Sequence, residues 1–266
     1  MNRRTFVKSA LAAASLAELA ASTNSTTRAA ESDGGKSQYY EWRSYSFKSP
    51  EQRALTDSYW HDAAIPALNR LGVKPVGAFT ELEGEKPGLH ILIPFDSFET
   101  FAALPSRLAE DSAYQEAGKA YLNAPKSAPA YDRIESSLSV AFDGMKRLDV
   151  PEAPSEEKPR VFELRTYESH SEAKGLNKVL MFNSGEIPLM KEVNLGPVFF
   201  ARNLIGSRLP SLTYMVSGPN KDEHAKNWKA FFAPPTWKKL IGDSQYKDNV
   251  SKVVSTFLKR TPYSQI

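Results

Sequence analysis

A shift of 122 residues lays the first part of this chain over its second without a gap. Glu41-Trp42-Arg43-Ser44-Tyr45 falls on Glu163-Leu164-Arg165-Thr166-Tyr167, Ile65-Pro66 on Ile187-Pro188, and Pro75-Val76 on Pro197-Val198. Asp111-Ser112-Ala113-Tyr114 falls on Asp243-Ser244-Gln245-Tyr246 at a shift of 132, so the second copy carries ten extra residues. Such a repeat requires one compact unit to occur twice, and the 266 residues suffice for two units of roughly 100–130 residues, each with a core of its own.

Each copy predicts the same order of elements. Residues 39–47 and 160–167 alternate as strands, and helical stretches follow that end near Gly72 and Gly196. Residues 73–82 and 197–205 read as second strands, 89–95 and 212–216 as third strands. Helical material resumes at Asp96 and Asp222, and 134–142 and 253–259 close the units. The order βαββαβ is the ferredoxin-like motif, an antiparallel sheet covered by helices on one face. The open faces of two such units cover each other if they pack together. The expected fold is therefore α+β: two tandem ferredoxin-like units forming a pseudo-dimeric α/β barrel. Pro66 and Pro188 sit inside helical stretches, where a missing N–H and a ring clash interrupt the helix, and their recurrence marks them as architectural.

The expected divisions are a leader and tether over 1–36, a first domain over 37–148, a connector over 149–159 rich in proline and charge, and a second domain over 160–266. The leader resembles a twin-arginine export signal through Arg3, Arg4, Phe6 and Lys8, followed by a small-residue stretch too short to span a bilayer. Glu18 departs from the usual apolar pattern. The resemblance implies a periplasmic or secreted protein that crosses the membrane already folded.

Charge matters to the choice of partner. The formal net charge is +3, and cleavage after Ser22 removes three positive residues and one negative one, leaving the remainder almost neutral. Without a basic field or a Lys/Arg run with interleaved aromatics, nucleic acid is not an expected partner. The chain has no cysteine, which excludes disulfides, thiolate metal sites and a thiol nucleophile. Neither a phosphate-binding glycine loop nor a Gly-x-Ser-x-Gly elbow occurs, which disfavours nucleotide dependence and serine hydrolysis of the elbow type.

The Glu-x-Arg-x-Tyr first strand, the Ile-Pro element before a glycine, the Asp-Ser-x-Tyr element and the closing Leu258-Lys259-Arg260-Thr261-Pro262-Tyr263-Ser264 resemble the NIPSNAP family over Gln38 to Ile266. That family belongs to the dimeric α/β-barrel superfamily, with small antibiotic-biosynthesis-type monooxygenases and chlorite-dismutase relatives. The resemblance implies a fold more than a reaction. It implies a small-molecule ligand or a protein partner, with a homo-oligomer compatible, and calls for no cofactor. The alternative is a cofactor-independent monooxygenase or isomerase acting on a small aromatic substrate within the barrel.

Alternation places Glu41, Arg43 and Tyr45 on one face of the first strand and Tyr40 and Trp42 on the other. Glu163, Arg165 and Tyr167 repeat the pattern against Phe162 and Leu164. The larger apolar side is expected to meet the helices, so these six residues are the candidate barrel-lining groups. The simplest account of them is a self-satisfied Glu–Arg pair with bonded tyrosines; the functional one is an Arg fork for an anionic or aromatic ligand. The histidines, His61, His90, His170 and His224, show no metal-ligand spacing and are expected at surface or half-buried positions, with no metal site. Trp228, Phe231, Phe232 and Trp237 form an aromatic-rich stretch expected to be core.

Overall fold

The computed structural model describes residues 35–84, 88–151 and 160–266; the export signature and most of the connector lie outside them. The first half runs β1 (Tyr39–Ser46), α1 (Pro50–Ser58), α2 (Ile65–Arg70), β2 (Gly77–Glu81), β3 (Leu89–Phe95), α3 (Phe98–Glu110), α4 (Ser112–Ala117), α5 (Lys119–Leu122) and β4 (Arg133–Ala141). The second runs β5 (Val161–Glu168), α6 (Glu172–Met181), α7 (Ile187–Glu192), β6 (Pro197–Ile205), β7 (Ser211–Gly218), α8 (Lys221–Phe232), α9 (Pro235–Gly242) and β8 (Lys252–Arg260).

The repeat extends to local structure. Ser49 and Ser171 cap α1 and α6 by accepting the N–H of Gln52 and Lys174. Both helices then widen into a π-helical turn, Tyr59–Ala64 and Phe182–Glu186, immediately before Ile65-Pro66 and Ile187-Pro188. The wider turn carries the chain past the bond that proline cannot donate. Both helices end in a left-handed residue, Gly72 (φ 79°) and Asn194 (φ 58°), with the next N–H bonded five residues back: Val73 to Leu68 at 2.9 Å, Leu195 to Met190 at 3.0 Å. The second stop is thus Asn194 rather than Gly196, because asparagine tolerates the left-handed region that a glycine signal advertises. The extra residues of the second copy form α9 and carry Trp237.

The eight strands close into one barrel in the order β1-β3-β2-β8-β5-β7-β6-β4, and all pairings are antiparallel. Each half contributes four adjacent strands. The halves are joined by backbone hydrogen bonds, β2 to β8 and β4 to β6, so the molecule is one continuous sheet rather than two units with packed faces. Closure leaves no unpaired edge among these strands. After β8 the chain turns along β2, where Thr261 and Gln265 donate to the carbonyls of Ala78 and Val76.

Three apolar clusters hold this arrangement. Tyr40, Phe79, Leu92, Phe162, Phe199, Met215, Leu258 and Ile266 fill the lumen. Between sheet and helices lie one cluster around Trp60, Ile91 and Phe95 and another around Phe182, Phe200 and Phe231. The faces of β1 and β5 are therefore the reverse of the expectation: Tyr40, Trp42, Phe162 and Leu164 point into the barrel, and Glu41, Arg43, Tyr45, Glu163, Arg165 and Tyr167 point toward the helices. An eight-stranded lumen is just wide enough to be filled by side chains and is as dry as a helix interface, so apolarity could not tell the two sides apart.

Candidate functional site

In the first half, Glu41 is 4% exposed and holds Arg43 through both oxygens, at 2.6 and 3.0 Å. Ser136 on the neighbouring strand donates to the same carboxylate at 2.8 Å. The Arg43 guanidinium lies 5.9 Å from the ring centre of Trp60. Burial opposes its charge, but Glu41 more than restores it, so its acidity is weakened further. Beyond it lie aromatic rings: Tyr45 against Trp60 and Tyr131, Tyr59 stacked on Tyr121 at 3.8 Å, and the Tyr59 and Tyr114 hydroxyls 2.8 Å apart.

In the second half, Glu163 accepts from four groups. Arg165 and Ser255 reach Oε1, while His224 Nε2 and Trp228 Nε1 reach Oε2 at 2.8 and 2.7 Å. Burial pushes this carboxyl up, but His224, Arg165, Ser255 and Trp228 outweigh it and hold it down to about 2. An ionised carboxylate only accepts, so we assign the His224 proton to Nε2; Nδ1 is then buried without a partner. Arg165 continues to Tyr167 at 3.3 Å, and Tyr167 to the fully buried Tyr214 at 2.9 Å. Lys178 and Glu186, 5% and 2% exposed, form an ion pair beside the rings of Tyr167 and Phe182.

The space open to a ligand lies elsewhere. A cavity of about 280 Å³ opens at one mouth of the barrel. Trp42, Leu92, Leu164 and Phe199 supply its apolar wall, and Ser44, Ser137, Thr166, Asn203, Ser211 and Thr213 its hydroxyl and amide lining. Arg208, its cation, is 3.7 Å from Glu168. Among the described residues no group of three or more His, Cys, Asp or Glu is placed to hold a metal ion. No described helix is long and apolar enough to cross a membrane.

The barrel has structural counterparts. A provisionally named monooxygenase from Fusobacterium nucleatum superposes with a TM-score of 0.53 at 9% identity, covering 85% of this chain and 93% of that one. Another from Lactobacillus acidophilus gives 0.53 at 9%, covering 85% and 94%. A NIPSNAP-like domain protein from Burkholderia xenovorans, 14% identical, covers 41% of this chain and 91% of its own with a TM-score of 0.38. No curated protein is significantly similar in sequence. The NIPSNAP family model matches the chain twice, over residues 40–139 and 162–265. The chain belongs to the NIPSNAP family.

The two NIPSNAP repeats thus bring the six candidate residues together as two separate triplets, one per half, each between sheet and helices. None lines the barrel mouth. His224, expected at a surface or half-buried position, is fully buried in this NIPSNAP chain because it serves Glu163. Its spacing of four from Trp228 was the available signal, since one helical turn sets both on a single face. Trp228 and Phe231 pack as the expected core, whereas Phe232 is 51% exposed. A further constellation at the mouth went unseen in the sequence: Ser44 and His90 are cross-strand partners, and Glu81 reaches the far side of the His90 ring. Residues 44, 81 and 90 become neighbours only through strand register.

Proposed function

We propose that this NIPSNAP protein binds a small oxygen-bearing molecule with a flat apolar body, such as a hydroxylated aromatic acid, in the mouth of the barrel. The observation that carries this reading is the cavity itself, whose apolar wall and hydrogen-bonding lining are combined with one cation, Arg208, and one carboxylate, Glu135. Sites for small molecules are concave, mostly apolar and provided with few convergent polar groups. At about 280 Å³ the cavity falls just below the usual range for such sites, which limits the ligand to a small molecule. The two Glu–Arg–Tyr triplets are internally satisfied, and in this reading they are the framework that sets β1 and β5.

The protein is read as exported through the twin-arginine-like leader, with its site exposed to the periplasm or the exterior. The halves, 37–148 and 160–266, are read as two ferredoxin-like units fused into a pseudo-dimer, which accounts for the βαββαβ order recurring in each. A cofactor-independent oxygenase or isomerase is the second reading, and it draws only on the barrel shape shared with the two provisionally named monooxygenases. Arg43 and Arg165, which that reading first assigned to the lumen, face the helices.

Isothermal titration of the purified protein with 4-hydroxybenzoate tests the ligand site. Saturable one-to-one binding is expected, abolished in Ser137→Phe, which fills the mouth, and weakened in Arg208→Ala. Binding that survives Ser137→Phe, or no binding of either the acid or its neutral amide, would sink the assignment.

A further inference from the structure

Ser44, His90 and Glu81 are contributed by three adjacent strands, β1, β3 and β2, in barrel order. Ser44 Oγ lies 3.0 Å from His90 Nδ1, and His90 Nε2 lies 2.7 Å from Glu81 Oε1. Ser44 lines the mouth cavity, together with Trp42, whose ring is stacked on the His90 ring at 5.6 Å and 20°. The His90 side chain is 14% exposed and that of Glu81 24%. Gly88 gives the carboxylate its room: a Cβ there would come within 3.3 Å of Glu81 Oε1 and 2.8 Å of the Tyr45 carbonyl.

The polarity of this chain of bonds follows from the carboxylate. Burial raises the Glu81 carboxyl, but the hydrogen bond from His90, with backbone hydrogen bonds at residues 81 and 88, holds it below its usual range, so it is ionised and can only accept. The His90 proton is then on Nε2, and in the neutral ring Nδ1 is left as an acceptor facing the Ser44 hydroxyl. Trp42 fixes the plane of the ring. A serine on a cavity wall, a base within hydrogen-bond reach and a carboxylate orienting that base are the three parts of an activated nucleophile, here with the two ring nitrogens exchanged. The missing Gly-x-Ser-x-Gly elbow bears on one way of presenting a serine; this one is presented by the wall of a barrel mouth.

We propose that Ser44 is a nucleophile activated by His90 and Glu81, and that the mouth hydrolyses small carboxylic esters. Ser44 Oγ bonds to the ester carbonyl carbon and its proton passes to His90 Nδ1. The C–O bond to the alcohol then breaks, and the leaving alkoxide takes that proton. Water attacks the acyl-Ser44 ester with His90 Nδ1 again accepting a proton, and the acid departs as Ser44 Oγ recovers it. The net change is ester plus water to alcohol plus acid. Across the same cavity the Asn203 amide donates to Ser211 Oγ at 2.8 Å and Thr213 Oγ1 at 3.0 Å, and Arg208 lies 3.7 Å from Glu168, so the polar lining opposite Ser44 is held in place by its own bonds.

The proposal rests on the mouth being a ligand site, and the experiment separates the two. The full chain is treated with diisopropyl fluorophosphate, and the adduct is located by intact-mass measurement and peptide mapping, alongside titration with 4-hydroxybenzoate. A single adduct on Ser44 is expected, lost in Ser44→Ala and formed about 100-fold more slowly in His90→Gln and Glu81→Gln, the lower end of what a positioned base supplies. The wild type is also expected to hydrolyse p-nitrophenyl acetate with a burst of one equivalent. No adduct on wild-type Ser44, or an adduct whose rate is indifferent to both substitutions, overturns the nucleophile while 4-hydroxybenzoate still binds. Loss of that binding too would bring down the ligand site along with it.

Discussion

The two halves of the barrel share a strand motif and solve the space behind it in opposite ways. Behind Glu163, Arg165 and Tyr167 the helices and neighbouring strand supply charge and hydrogen bonds: His224, Trp228, Tyr214 and the pair Lys178–Glu186. At the places matching Lys178, Glu186 and, by strand register, Tyr214 stand Thr56, Ala64 and Ile91, with Tyr59, Tyr114, Tyr121 and Tyr131 filling the gap. The pairing is consistent in register, since Ile91 faces Arg43 as Tyr214 faces Arg165, and Ser136 faces Arg43 as Ser255 faces Arg165. One motif therefore tolerates either a polar or an aromatic surround, provided its carboxylate finds donors. The requirement common to the two halves is satisfaction of Glu and Arg by each other, and the rest is adjustable packing.

Removing the carboxylates should expose that difference most strongly. Glu163→Ala leaves Arg165, His224, Trp228 and Ser255 without their shared acceptor, and a loss of about 3–5 kcal/mol in urea unfolding is expected. Glu41→Ala strands only Arg43 and Ser136, for about 1–3 kcal/mol. Equal losses would break the comparison. Lys178→Met probes the same surround from its other end: it leaves Glu186 buried and unpaired at a comparable cost, whereas Lys178→Met with Glu186→Leu, which makes the second half apolar like the first, should recover most of the loss.

Acid sharpens the contrast without a cavity. The Glu163 carboxyl is held at about 2 in the folded chain against 4.5 ordinarily. Its stabilisation is complete above the ordinary value and disappears as the pH falls from about 4.5 to about 2, amounting to about 3 kcal/mol. Glu186 works in the opposite sense. Burial raises it, so its cost is present above the ordinary value and is relieved on acidification. Unfolding free energy measured from pH 6 to pH 2 should fall less steeply in Glu163→Gln than in the wild type. An unchanged slope would mean that Glu163 is not the main acid-sensitive contact.

Much of this was legible in the sequence. The repeat, the order of elements and the two Ile-Pro interruptions followed from residue spacing, because strand period, turn chemistry and proline are local properties, whereas the joining of the halves into one continuous sheet through β2–β8 and β4–β6 did not. The side of the sheet taken by Glu41, Arg43, Tyr45 and their counterparts was not, because both sides of a filled barrel wall are apolar. The second helix stop was missed because Asn194 does the work of a glycine. Ser44, His90 and Glu81 are distant in the chain and meet only through strand register, for which a single sequence carries no signal, and for Glu163 and His224 the spacing of His224 from Trp228 marked a shared helix face but not the carboxylate it meets.

The smallest expected effect tests the aromatic half. The Tyr59 and Tyr114 hydroxyls, 2.8 Å apart, have each other as hydrogen-bond partners, and burial pushes the acidity of both toward higher pH. Tyr59→Phe removes one hydroxyl and leaves the other buried beside a ring edge, at a cost of about 1 kcal/mol. Tyr59→Phe with Tyr114→Phe removes both polar groups and keeps the stacking of the 59 ring on Tyr121, so it should lie closer to the wild type than the sum of the two single losses. Such a recovery, measured in a double-mutant cycle, would show that the first half depends on ring packing where the second depends on charge. Strict additivity would instead mean that each hydroxyl has a separate partner, and the two surrounds would then be more alike than their residues suggest.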